Sequence, residues 1–148
     1  MAGYHGLIFD MDGTLLDTLA DLGESMNRVL RREGLPTHPI DAYRLYVGDG
    51  AANLALRVLP DELRSPARIE RVRDAWSAEY DGHWAEQTRL YPGMAELLDA
   101  LASRRLPMAV FSNKPHEFTV QMAKHFLSRW PIAPVMGAVW MSEGWASR

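Results

Sequence analysis

Two carboxylates one residue apart, Asp10 and Asp12, close a short apolar run, Leu7-Ile8-Phe9. A run of that length suits a buried strand and is too short for a helix. A spacing of two along an extended chain puts both carboxylates on the same side. The carboxyl end of a buried strand is also where open α/β sheets place their ligands. Gly13 then permits a sharp change of direction, and Thr14 adds a hydroxyl. A lone Asp-x-Asp reads more readily as an ordinary acidic turn. The strand, both carboxylates, Gly13-Thr14 and Asp17-Thr18 together weigh against that reading. A second apolar run, Pro107 to Phe111, repeats the logic. It is followed by Ser112-Asn113-Lys114, which bring a hydroxyl, an amide and a cation, and then by a helical pattern from about Glu117 to Leu127.

The stretch Leu7 to Thr18, LIFDMDGTLLDT, closely resembles the first motif of the haloacid dehalogenase superfamily, whose members are mostly phosphatases. The resemblance implies that Asp10 is a nucleophile that attacks phosphorus and forms an aspartyl-phosphate, splitting one hard hydrolysis into two easier steps. It implies that Asp12 protonates the leaving oxygen and then deprotonates the attacking water. The Asp10 carboxylate and the Asp12 backbone carbonyl would hold Mg²⁺, a cation that prefers oxygen ligands. The true dehalogenases resembled here lack an acid at the position of Asp12, so phosphoryl transfer is favoured over carbon–halogen cleavage. Ser112 resembles the family's second motif. Its hydroxyl and the Asn113 amide would donate to phosphate oxygens near a helix N-terminus. Thr14 and Lys114 complete the candidate phosphate-binding set. The continuation Asn113-Lys114-Pro115 looks most like the phosphoglycolate phosphatase branch.

These residues need a parallel sheet to hold them and a crossover to bring the second strand beside the first. Tyr91-Pro92-Gly93 opens a helix with Met94, Leu97, Leu98 and Leu101 expected inward, and it can serve as a right-handed crossover. Pro134 to Gly137 reads as a third strand. Between the two motifs the pattern is all helical. Leu19, Leu22, Met26, Val29 and Leu30 recur at helical spacing up to Gly34. Pro39 opens a short helix ending near Tyr46, Ala51 to Leu59 forms another, and Ser65-Pro66 caps one with Ile69, Val72, Trp76 and Tyr80 on one face. This insertion resembles the helical cap that many superfamily members carry just after the first motif. The expected architecture is α/β: an incomplete Rossmann-like core, residues 1–17 and 88–148, with an inserted all-helical cap, residues 18–87.

Gly48-Asp49, with Asn53 four residues on, superficially matches the family's fourth motif, Gly-Asp-x-x-x-Asp. It precedes the second strand, whereas the family carries that motif last, so it is not read as a metal site. It matches better a glycine turn in caps of the phosphoglycolate phosphatase branch. There Gly48 and Gly50 would serve cap specificity, the amides of Gly50 and Ala51 meeting a ligand carboxylate. A plain turn between two helices is an equal reading.

The 148 residues are 47% hydrophobic with a net charge of −3, enough for one medium domain or two small ones. There is no cysteine, so disulfides and thiol chemistry are excluded, and the five histidines show no metal-ligand spacing. No basic block suggests nucleic acid, and no apolar run approaches the ~20 residues that cross a bilayer. The start lacks a signal-peptide pattern, which makes a cytoplasmic protein the expectation. The expected partner is a small phosphorylated metabolite.

The resemblance covers only the first part of the family's length. The family's third-motif Lys has no counterpart after the third strand, because the only lysines are Lys114 and Lys124, and no later Gly-Asp follows. This predicts weak Mg²⁺ binding and slow or absent turnover. It frames an alternative: a truncated, catalytically dead fragment that binds phosphate or a partner chain. In the family's sheet order Leu7 to Phe9 becomes an edge. That predicts self-association through the exposed edge, with Trp140 and Trp145 too short a tail to replace further strand-helix units.

Overall fold

A computed structural model describes residues 5–139, and Trp140 and Trp145 lie outside the described residues. The chain divides into two compact units, one made of Leu16–Leu90 and the other of the segments before and after it.

The second of these units is the α/β one. Strand β1 (Leu7–Phe9) pairs in parallel with β4 (Met108–Pro115), and β4 pairs in parallel with β5 (Ile132–Ala138). The order is β1-β4-β5, so among the described residues β1 is an edge, as expected from the sequence. Helix α4 (Met94–Ser103) precedes β4, and α5 (His116–Phe126) connects β4 to β5. Both steps across the sheet run in the same direction. By the right-handed rule for parallel crossovers, both helices are expected on one face, and α5 packs against β4 and β5.

The burial pattern agrees. Along β4 the side chains of Met108, Val110, Ser112 and Lys114 are buried, while Phe111, Asn113 and Pro115 between them are exposed. The register sets Ile8 beside Ala109 and Phe111 beside Met136 on that second face. Ile8 is 75% exposed, Phe111 60% and Met136 47%. A parallel sheet usually has helices on both faces. Here one face is open among the described residues.

The α4 face is narrower than expected. Leu98 and Leu101 are buried and Met94 is half-buried, but Leu97 is exposed. The inward stripe follows positions 94, 98 and 101, and Leu97 sits on its margin.

The other unit is mostly helical. It holds α1 (Leu19–Arg32), α2 (Ala51–Val58) and α3 (Pro66–His83), with short 3₁₀ segments at Ile40–Leu45 and Asp61–Leu63. Leu22, Met26, Val29 and Leu30 of α1 pack inward, as do Val72, Trp76 and Tyr80 of α3. Ser65 accepts a hydrogen bond from the Arg68 amide and caps α3, with Pro66 at the first position. The Trp76 indole donates to the Leu22 carbonyl at 3.2 Å, and its ring stacks on Tyr80.

The sequence reading missed a two-stranded ribbon, β2 (Leu16–Asp17) against β3 (Arg89–Leu90). Strands of two residues leave no periodic signal. Beside it Asp21, 1% exposed, accepts hydrogen bonds from the amides of Gln87 and Thr88 and from the Thr88 hydroxyl, at 2.8 to 3.0 Å. Three donors, the Gln87 amide shared between both oxygens, satisfy a buried carboxylate.

Candidate active site

The β1–β4 register pairs Phe9 with Val110. Asp10 therefore follows the end of β1, and Ser112, two residues beyond Val110, lies where the adjacent β4 runs on past it, toward the carboxyl edge that open α/β sheets use for ligands. The loop after β1 wraps around Met11, whose side chain is fully buried. The Met11 amide donates to Asp10 Oδ1 at 2.7 Å, and the Met11 carbonyl accepts from the amides of Thr14 and Leu15. Gly13 adopts φ +77°, the left-handed region in which glycine is at ease. This loop leaves the Asp10 side chain at the surface and Thr14 exposed.

The strand from the second motif is longer than the sequence suggested. The predicted strand stopped at Phe111, whereas β4 continues through Ser112, Asn113 and Lys114 to Pro115. It continues because β5 extends past the end of β1. A register shift between Phe111 and Pro115 carries β4 on to pair Pro115 with Ala138. Strand alternation then buries Ser112 and Lys114 and exposes Asn113. The Lys114 amide donates to Ser112 Oγ at 3.3 Å.

The strand ends are joined by charge. Lys114 Nζ lies 3.1 Å from Asp12 Oδ2 and 3.3 Å from Oδ1. The Lys114 side chain is 4% exposed and that of Asp12 29%. The sequence reading counted Lys114 as a phosphate contact and did not foresee this pair. The signal was present in the alternation, since Met108, Val110, Ser112 and Lys114 share one face of a strand. Behind the pair, Thr119 Oγ1 donates to the carbonyls of Lys114 and Pro115, and the Gly137 amide donates to His116 Nδ1. A Cβ on Gly137 would stand 2.5 Å from the Lys114 carbonyl oxygen and 2.7 Å from His116 Cα, so this close approach needs glycine.

The structure thus brings Asp12, Ser112 and Lys114 into one linked group, with Asp10 on the same short loop as Asp12. Gly48 and Gly50 belong to the helical unit, at φ +112° and +88° in the turn before α2. There Asp49 is ion-paired with Arg57, and its carbonyl accepts from Asn53 Nδ2.

A divalent metal is implied by the resemblance of the first motif, and the donors on offer there are oxygens. The Asp10 carboxylate and the Asp12 carbonyl are hard oxygens. The Asp12 carboxylate is committed to Lys114. Among the described residues no group of three or more His, Asp or Glu is placed to hold a metal. Two protein oxygens suit Mg²⁺, which keeps several of its waters, and would not satisfy Ca²⁺ or Zn²⁺.

The sequence matches the family model of haloacid dehalogenase-like hydrolases over residues 7–143. It is 33% identical over 140 residues to a phosphoglycolate phosphatase of Chromobacterium violaceum, covering 91% of this chain and 62% of that one. The fold resembles that of a predicted phosphoglycolate phosphatase from Haemophilus somnus, with a TM-score of 0.82 at 24% identity over 97% of this chain and 66% of the other. It also resembles a haloacid dehalogenase-like hydrolase from Streptococcus pneumoniae, with a TM-score of 0.78 at 20% identity over 91% of this chain and 61% of the other. The chain therefore spans a little under two thirds of the length of these relatives. Among the described residues no helix is long and apolar enough to cross a membrane.

Proposed function

Since this chain belongs to the haloacid dehalogenase-like hydrolase family, we propose that it handles small phosphate monoesters, with 2-phosphoglycolate the leading substrate. The observation that carries this reading is the Lys114–Asp12 ion pair, which ties the loop holding Asp10 and Asp12 to the far part of the adjacent parallel strand β4, where Ser112 also lies. In this reading Asp10, exposed at the end of β1, attacks phosphorus in line with the leaving oxygen. The Ser112 hydroxyl and the Asn113 amide hold non-bridging oxygens, and Lys114 and Thr14 add contacts. Asp12 delivers a proton to the leaving oxygen and later takes one from the water that cleaves the aspartyl-phosphate. The Asp10 carboxylate and the Asp12 carbonyl would hold Mg²⁺. Bound there, it would neutralise charge on the phosphoryl oxygens.

A second reading is a phosphate-binding chain without turnover. The two-oxygen donor set favours it, because it leaves the metal mostly in water. Phosphate release from p-nitrophenyl phosphate separates the two. Mg²⁺-dependent release that disappears in Asp10→Asn supports the hydrolase. A folded chain that binds phosphate at Ser112 yet shows no release above background supports the binding role.

A further inference from the structure

The Lys114 side chain is almost fully buried, as Ser112 is, and lies against both oxygens of Asp12, so a phosphate meets this stretch of β4 only if a side chain moves. A buried ammonium needs a counter-charge nearby, and Asp12 supplies one. The backbone of Lys114 is fixed at three points. Its amide donates to Ser112 Oγ, its carbonyl accepts from Thr119 Oγ1, and Gly137 packs against that carbonyl without a Cβ. With the backbone held, any movement at this residue falls to the four-carbon stem and its compact ammonium.

The same short stretch of β4 therefore holds a hydroxyl suited to a phosphate oxygen and a cation two residues further on the same face. A phosphate monoester carries up to about twice the charge of a carboxylate, and at equal distance it attracts the ammonium up to about twice as strongly. We propose that Lys114 is an exchangeable cation. It holds the Asp12 carboxylate while the site is empty and moves to a phosphate oxygen when an ester seats on Ser112. The Asp12 carboxylate is then free to turn toward the leaving oxygen. This inference rests on the phosphate reading of the site. It adds that the Lys114–Asp12 pair exists to be broken by substrate.

The chain has two lysines, Lys114 and Lys124, which makes the test direct. Lysine is labelled with ¹⁵N and aspartate with ¹³C, the ammonium signals are assigned with Lys124→Arg, and inorganic phosphate is titrated in. The expected result is a saturable shift of the Lys114 ammonium signal, with the Asp12 carboxyl signal moving over the same concentration range as the Ser112 and Asn113 amides. Lys114→Met should bind phosphate roughly tenfold to a hundredfold more weakly. If the Ser112 and Asn113 amides respond while the Lys114 and Asp12 side chains do not, the phosphate site stands and the exchange is wrong. If none of the four responds at high millimolar phosphate, the phosphate reading and the exchange fall together.

Discussion

Lys114 and Asp12 stand 102 positions apart in sequence and 3.1 Å apart in space, at the ends of neighbouring parallel strands. The pairing sets a limit on metal binding. With its carboxylate on Lys114, Asp12 has only its carbonyl to offer, and Asp10 supplies the other protein oxygen. Mg²⁺ should therefore bind weakly, in the millimolar range or above, and retain most of its waters. Calorimetry is expected to show a shallow isotherm that flattens further in Asp10→Asn. Micromolar Mg²⁺ binding would mean that a further carboxylate joins the site.

Gly137 tests how tightly the far end of β4 is held. Gly137→Ala puts a methyl group against the Lys114 carbonyl and the Thr119 hydroxyl. Both are fixed by hydrogen bonds, so the strand has to shift. The expected cost is about 1–3 kcal/mol of stability in the α/β unit, with chemical-shift changes at Ser112 and Lys114. Denaturant unfolding combined with amide spectra measures both. An unchanged spectrum at those residues would show that β5 does not set the position of the second motif.

Much of this arrangement could be read from residue order alone. Leu7 to Gly13 announces a strand that ends in carboxylates, and the helical spacing from Leu19 to Tyr80 matches the observed helices α1 and α3 closely. What escaped depended on partners. The end of β4 was misjudged because polar Ser112-Asn113-Lys114 looks like a turn until β5 is alongside to extend it. The inward place of Leu97 failed because helical spacing does not say how wide a face the sheet covers. The Asp21 clamp on Gln87 and Thr88 joins residues 66 and 67 positions apart, and no local pattern announces such a bond.

The helical unit should weaken in acid. Hydrogen bonding from Arg32 holds the Glu79 carboxyl below its usual range, and His83 does the same for Glu86, with Arg28 reaching both. A depressed carboxylate pKa means that the folded form binds the proton less readily than the unfolded one. The stabilisation is therefore complete above the ordinary glutamate range, near pH 4.3, and is lost as pH falls through the lower folded values. Melting curves of this unit should be flat from neutral pH to about pH 5 and decline below about pH 4. In Glu79→Gln the decline should be shallower. An identical acid decline in that variant would remove Glu79 from the account.

Among the described residues one sheet face is open and one side of β1 is unpaired, which predicts association between copies of the 148-residue chain. Ile8, Phe111 and Met136 present adjacent apolar surface, and β1 carries no charge or proline to discourage pairing. Light scattering during size-exclusion chromatography should show species larger than a monomer, reduced in Phe111→Ser and in Ile8→Lys. A monodisperse wild-type monomer with strong amide protection across Leu7 to Phe9 would show that this edge is already covered.

In the proposed reaction Asp10 is the group that takes the phosphoryl. Beryllofluoride mimics an acyl phosphate on a carboxylate and needs no turnover, so ¹⁹F spectra taken with Mg²⁺ report directly on that role of Asp10. Bound-fluoride resonances are expected in the wild-type chain and in Asp49→Asn, and should be lost in Asp10→Asn. Bound resonances that survive Asp10→Asn, or a folded wild-type chain with none, would contradict that role.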